Sequence, residues 1–143
     1  MNTFSFSTSI EINAQPSVIF EALTDPAKVK QYLFGTEMKT DWKVGSPITY
    51  SGEWQGQTYE DKGTVLEYEQ DKLIVSTYWS GMSGAEDKPE NYQHVRYEVT
   101  PLNSGAQLTL TQENIGSQES ADHSEENWKM VLGELKKLCE KYT

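Results

Sequence analysis

The sequence predicts an α+β fold, a curved antiparallel sheet of about six strands wrapped on a long C-terminal helix, with two short helices after strand 1. Three observations carry this. Residues 4 to 12 alternate between apolar and polar. Two prolines, Pro16 and Pro26, then stand where helices can begin. Near the C-terminus, apolar residues recur at intervals of three and four.

The first strand has Phe4, Phe6, Ile10 and Ile12 on one face and Ser5, Ser7, Ser9 and Glu11 on the other. A period of two marks a half-buried strand. At "NAQPS" the period changes. Pro16 suits the first turn of a helix, where a missing N–H costs nothing, and Val18, Ile19, Ala22 and Leu23 follow at helical spacing. In "TDP", Asp25 can cap a second helix that has Pro26 at its first position. Val29, Tyr32 and Leu33 form its apolar face, and Gly35 is placed to stop it.

Strand-like runs follow, punctuated by Gly and Pro. "SPITYSGEW" sets Ile48, Tyr50 and Trp54 on one side, and "QTYEDKGTVLEYE" returns after Gly56 as a hairpin. "KLIVSTYW" is apolar and β-branched. "NYQHVRYEVT" alternates, with Val95, Tyr97 and Val99 opposite His94, Arg96 and Glu98; "AQLTLTQEN" turns Leu108 and Leu110 inward. Turns at "EYEQDK" and "PLNSGA" join neighbours, and "SGMSGAEDKPEN" is a longer loop.

From about Glu119 to Tyr142 the period becomes helical. Trp128, Val131, Leu132, Leu135, Leu138 and Tyr142 form one apolar stripe. Glu125 and Glu126 lie early and Lys136, Lys137 and Lys141 late, as the helix dipole favours. Both this stripe and the sheet need a partner, and each is the other's simplest cover.

The totals exclude several roles. A length of 143 residues suits one domain, 1–143. The net charge is -10, from 12 basic and 22 acidic residues. With no basic stripe, neither nucleic acid nor an anionic membrane surface is an expected partner. Membrane insertion is not expected either, because no apolar run reaches the roughly 18 residues of a span. "MNTFSFSTSI" lacks the pattern of a signal peptide, so a cytoplasmic location is expected. Cys139 is the only cysteine and reads as a half-buried apolar residue.

Little points to catalysis. His94 alternates with charged residues and is expected to face solvent; His123, in the acidic segment before the last helix, reads as a surface residue. "GMSGA" lacks the second glycine and the strand-to-helix setting of a nucleophile elbow. Two separated histidines and one cysteine give no metal cluster, and no nucleotide-binding glycine motif appears. No catalytic residue, metal or cofactor is therefore expected. Glu53, Glu60, Asp61 and Glu67 lie in strands, where alternation alone does not say which turns inward.

With "PSVIFEALTDPAKVKQYL" near its start, the element order resembles the helix-grip fold of the START/Bet v 1-like (SRPBCC) superfamily. Within it, the chain is similar to the family related to the C-terminal domain of the activator of Hsp90 ATPase. Members often read Pro, a Val-Phe/Trp region, "LTDP" and an aromatic in the second helix. Here these are Pro16, Val18, Phe20, Leu23 to Pro26, and Tyr32 where Trp is common. Gly45 matches a Gly-rich turn whose second Gly is here Ser46, and Gly63 with Val65 matches a "G-x-V" strand opening. Asn127-Trp128 stands where Gly-Trp is common, before Leu132, Leu135 and Leu138. The likeness covers essentially the whole chain.

Sixteen aromatic residues supply the best functional lead. They suit an ordinary core, and they also suit a cavity between sheet and helix, which the resemblance favours. The candidates from the strands are Tyr50, Trp54, Tyr59, Trp79 and Tyr97; those from the helices are Tyr32, Leu33, Trp128, Leu132 and Leu135. The two short helices are expected to cover the open end of the sheet, with Tyr32 and Leu33 at the rim. The leading reading is a monomer that binds a small apolar or aromatic molecule. The resemblance implies a first alternative, an interaction module related to Hsp90 cochaperone activators, with a chaperone as partner. A cyclase- or aromatase-type enzyme is the second alternative. With Trp128 read as enclosed, Trp128→Ala is expected to cost about 3–5 kcal/mol.

Overall fold

Alternation shapes the first element. In β1 (Phe4–Ile12), Phe6, Thr8, Ile10 and Ile12 turn inward while the serines and Glu11 are exposed. The computed structural model describes residues 4–33, 35–54, 56–80 and 86–141, with the side chain of Trp54 outside that set. Tyr142 and "GMSGA" lie outside the described residues.

Pro16 opens α1 (Pro16–Thr24) and Pro26 opens α2 (Pro26–Tyr32). Asp25 serves both helices. Its N–H donates to Glu21 O as α1 ends, and its carboxylate accepts the Ala27 N–H at 3.0 Å to cap α2. One aspartate thus sets the angle between two helices too short to persist alone.

The chain continues as β2 (Glu37–Lys39), β3 (Pro47–Trp54), β4 (Gln57–Glu69), β5 (Leu73–Ser80), β6 (Gln93–Leu102), β7 (Gly105–Ile115) and α3 (Gln118–Lys141). A single 3₁₀ turn, Pro89–Asn91, leads into β6. Among the described residues, seven strands form one curved antiparallel sheet in the order β1-β7-β6-β5-β4-β3-β2. The strand beyond the expected six is β2. It has three residues, of which only Met38 is buried, so it offers no alternation to read.

The core lies between the concave face of the sheet and the helices. Ile12, Ile19, Phe20, Ile48, Leu108, Leu110, Leu132 and Leu135 are all enclosed. Phe20 meets Tyr68 edge-on, with centroids 5.5 Å apart, which fixes α1 to β4. Helix α3 runs along β1 and also touches α1 and α2. Its buried residues gather late, at Val131, Leu132, Leu135, Leu138 and Cys139, with Ala121 near the start. The C-terminal half of α3 is therefore its docked half. Cys139 is more enclosed than expected, at 1% exposure, and burial pushes its thiol up to about 11. A thiol held protonated in this way is a packing group, not a nucleophile.

Polar contacts lock the far end of α3. Lys136 Nζ donates to Glu140 Oε2 at 2.6 Å and to Glu11 O at 2.9 Å, and the Asn13 N–H donates to Glu140 Oε2 at 2.9 Å. The Lys136 hydrogen bond, then that of Asn13, holds the Glu140 carboxyl below the usual glutamate value near 4.5. A depressed folded value means that this clamp stabilises the fold above the unfolded pKa and is lost as pH falls through the folded one. Glu140→Gln is expected to flatten the dependence of stability on pH below about 4.5 and to leave its alkaline side unchanged. Denaturant midpoints across pH check this, and an unaltered acid limb would refute it.

Candidate functional site: an aromatic-lined cavity

Register brings the site together. Tyr50 lies opposite Asp61, Asp61 opposite Ser80, Tyr78 opposite Gln93, and both Ser76 and Gln112 opposite Val95. Directly paired residues share a face, so these side chains line the concave side of β3 to β7. The first turns of α3 face them across a cavity of about 870 Å³. Tyr50, Tyr59, Tyr78 and Tyr97 come from the sheet and Trp128 from the helix, while Glu119, His123 and Asn127 stand exposed along the helical side. Leu33 and Thr36 close the end near α2.

Hydrogen bonds order the wall. The Trp128 indole donates to Gln112 Oε1 at 3.1 Å, and Gln112 Nε2 donates in turn to Gln93 Oε1. Gln112 is only 5% exposed, so this chain satisfies a polar group that would otherwise be costly to bury. Trp128 also meets Tyr97 edge-on at 5.9 Å. Tyr78 OH donates to Asp61 Oδ2 at 2.6 Å, and its ring lies 6.1 Å from that of Tyr50. Asp61 Oδ1 is buried and has no hydrogen-bond donor among the described residues.

At the other end, Thr36 Oγ1 donates to Leu33 O and lies 2.6 Å from Tyr59 OH, which is left as the donor between them. Gly52 faces Tyr59 across the hairpin, and a Cβ there would fall 2.6 Å from the Tyr59 hydroxyl oxygen. The missing side chain lets the tyrosine lie across β3 and reach Thr36.

Burial raises the pKa of Tyr32, Tyr50, Tyr78 and Tyr97; Asp61 adds to the effect on Tyr50 and Tyr78, and neighbouring tyrosines on Tyr32 and Tyr97. Each phenol is thus neutral in the fold where it would ionise when unfolded. Their contribution is complete below the unfolded value of about 10 and is lost as pH rises beyond it. Alkaline titration should show these four ionising only together with unfolding, so phenolate absorbance and loss of circular dichroism should coincide. Ionisation of all the tyrosines near pH 10 in a folded protein would contradict the burial.

Of the sequence candidates, Leu33, Tyr50, Tyr59, Tyr97 and Trp128 line the cavity. Leu132 and Leu135 lie farther along α3, in the core. Tyr32 is 4% exposed and packs into the core beside α3 instead of forming the rim. Trp54 ends β3, and its side chain is outside the described set. Trp79 turns to the convex face. It stacks on Tyr92 at 6.3 Å, donates to Glu86 O at 3.1 Å and sits beneath Lys62. Its neighbour Tyr78 takes the inward place. The apolar run "LIVSTYW" gives no alternation of its own, whereas pairing of Lys62 with Trp79 and of Asp61 with Ser80 separates the two faces.

Ser76, Gln93 and Gln112 were not singled out by the sequence; a polar residue at an inward register position was the available signal. Among the strand carboxylates, Asp61 reaches the cavity wall and Glu53 its exposed edge, while Glu60 and Glu67 are exposed elsewhere. His94 is exposed, and His123 is exposed at the cavity mouth. Among the described residues, no three His, Cys, Asp or Glu gather as metal ligands, and no helix is long and apolar enough to cross a membrane.

A family model described as activator of Hsp90 ATPase homolog 1-like protein matches residues 13–140. The solution structure of ChR145 from Cytophaga hutchinsonii is similar at 39% identity, with a TM-score of 0.84, over 97% of this chain and 95% of that one. MLL2253 from Mesorhizobium loti shares the fold at 20% identity and a TM-score of 0.79, over 98% and 99% of the two chains. The Aha1 dimer from Colwellia psychrerythraea shares it at 19% identity and a TM-score of 0.76, over 96% of each. Comparison with curated proteins gave no match. The family model spans nearly the whole chain and a relative 39% identical shares its fold end to end, so the chain belongs to the activator of Hsp90 ATPase homolog 1-like family.

Proposed function

We propose that this protein binds a small apolar or aromatic molecule in the cavity between the sheet and α3. The observation that carries the reading is the cavity of about 870 Å³, with five aromatic side chains and a few ordered polar groups on its wall. Ligand sites commonly have this size and this mixture of surfaces. The aromatic faces supply contact area, and the Gln112–Trp128 and Asp61–Tyr78 pairs supply fixed polar points for orientation.

Two tryptophans make the reading testable. Trp128 lines the cavity and Trp79 lies on the convex face. In a screen of uncharged aromatic compounds, a binder should raise Tm by mass action and shift the Trp128 indole resonance while leaving that of Trp79 in place. Shifts confined to Trp79 and Tyr92 would overturn it.

The family description favours a second reading, an interaction with Hsp90 of the cochaperone kind. It predicts a change in chaperone ATPase rate on addition of this protein, and no change at high micromolar concentration would remove it. Both readings take the chain as a monomer. The named Colwellia relative is a dimer, and the mass in solution decides the point for this chain.

A further inference from the structure

We propose that the molecule bound in this cavity is a cationic aromatic amine, held with its ammonium group on Asp61. This inference rests on the cavity being a binding site and adds the chemical class of its occupant. Asp61 carries it. A carboxylate accepts several hydrogen bonds, and here one oxygen takes the Tyr78 hydroxyl while Oδ1 has no donor among the described residues. Oδ1 has almost no accessible surface of its own, while Asp61 as a residue lines the cavity, so a small rotation of the carboxylate turns the unpaired oxygen toward a donor there. An unpaired buried acceptor favours a ligand that satisfies it over one that does not.

The surroundings select for charge. Among the described residues lining the cavity, the carboxylates are Glu53, Asp61 and Glu119, and there is no lysine or arginine. An anionic ligand would meet these carboxylates, with His123 at the mouth as the basic side chain among the described lining residues. Tyr50 and Tyr78, with ring centroids 6.1 Å apart, stand beside Asp61 and offer π faces to a cation. Lys62, the next residue along β4, is directed away and is engaged by Asp87 at 2.5 Å, so it does not neutralise Asp61.

Three probes of matched shape test this: naphthylmethylamine, methylnaphthalene and naphthoate, each titrated at neutral pH by tryptophan fluorescence and calorimetry. The amine should bind at least about tenfold tighter than the hydrocarbon, and naphthoate weakest, as one charge-assisted hydrogen bond allows. Asp61→Asn should bring the ratio of amine to hydrocarbon affinity near one. Glu60→Gln removes the same charge from an exposed position of the same strand and should leave the ratio unchanged. Should Asp61→Asn not fold, Tyr78→Phe provides the second variant: freeing Oδ2 should keep or increase the preference for the amine. Equal affinities for amine and hydrocarbon, a preference that survives Asp61→Asn, or one lost in Tyr78→Phe would each overturn the inference and leave the cavity a binding site. Failure of all three probes to bind would count against the site itself and take this inference with it.

Discussion

Gly63→Ala should destabilise the protein by about 3 kcal/mol or more, the upper range for forced overpacking. A Cβ built at Gly63 falls 1.8 Å from the carbonyl oxygen of Thr77, and that obstacle is backbone, which no rotamer change can move. Gly63 is itself buried, with the enclosed Ile48 opposite it on β3. The methyl group can therefore be placed only by parting β4 from β5. That would also strain the bond from the Thr64 N–H to Thr77 Oγ1, at 2.9 Å. For a chain of this length the loss corresponds to a fall in Tm of roughly 10 °C. A fall of less than about 2 °C would show that the strands separate at little cost. Because Gly63 lies two residues from Asp61 on β4, and Asp61 faces Tyr50 and accepts the Tyr78 hydroxyl, Gly63→Ala should also disturb the resonances of Tyr50 and Tyr78.

The same glycine shows what a sequence does and does not disclose. Its place in a "G-x-V" strand opening was legible, but the reason for it, a carbonyl from the next strand, is a long-range contact. Where one element carries its own pattern, reading succeeded. β1 alternates by itself, Pro16 and Pro26 each start a helix with local capping logic, and the stripe from Trp128 to Leu138 has its own period. Reading failed where orientation depends on a neighbour. Tyr78 and Trp79 are adjacent aromatics in an apolar run, and only the register with β4 says which is inward. Tyr32 lies on the expected helical face, yet its own side chain is enclosed in the core while Leu33 beside it reaches the cavity. Ser76, Gln93 and Gln112 are not legible as inward residues, because a polar side chain signals an outward face unless a partner makes burial tolerable.

Trp128→Ala is expected to cost about 2–3 kcal/mol, less than the 3–5 kcal/mol of a fully enclosed aromatic. The larger cost assumes an enclosed side chain, whereas Trp128 is half-buried with one side on the cavity. That side is already open, so truncation forfeits only part of the packing. Two further losses add to it. The edge-on contact with Tyr97 is worth roughly 0.5–1.5 kcal/mol. Gln112 Oε1 loses its donor in a site 5% exposed, and an orphaned acceptor there costs about 1–3 kcal/mol unless water enters. The cavity is adjacent, so water can enter, which places the total at the middle of these ranges. Trp128→Phe narrows the terms, because it keeps an aromatic ring beside Tyr97 while removing the N–H together with part of the indole. If the hydrogen bond matters, Trp128→Phe should still lose about 1 kcal/mol. Stability and binding should then diverge. Removing the indole takes away the α3 contribution to the aromatic wall, so affinity for an apolar probe should fall about tenfold, a common consequence of losing one buried aromatic contact. Chemical denaturation and probe titration measure the two effects independently. A cost below about 1 kcal/mol with affinity intact would mean that α3 holds neither the wall nor the ligand through Trp128.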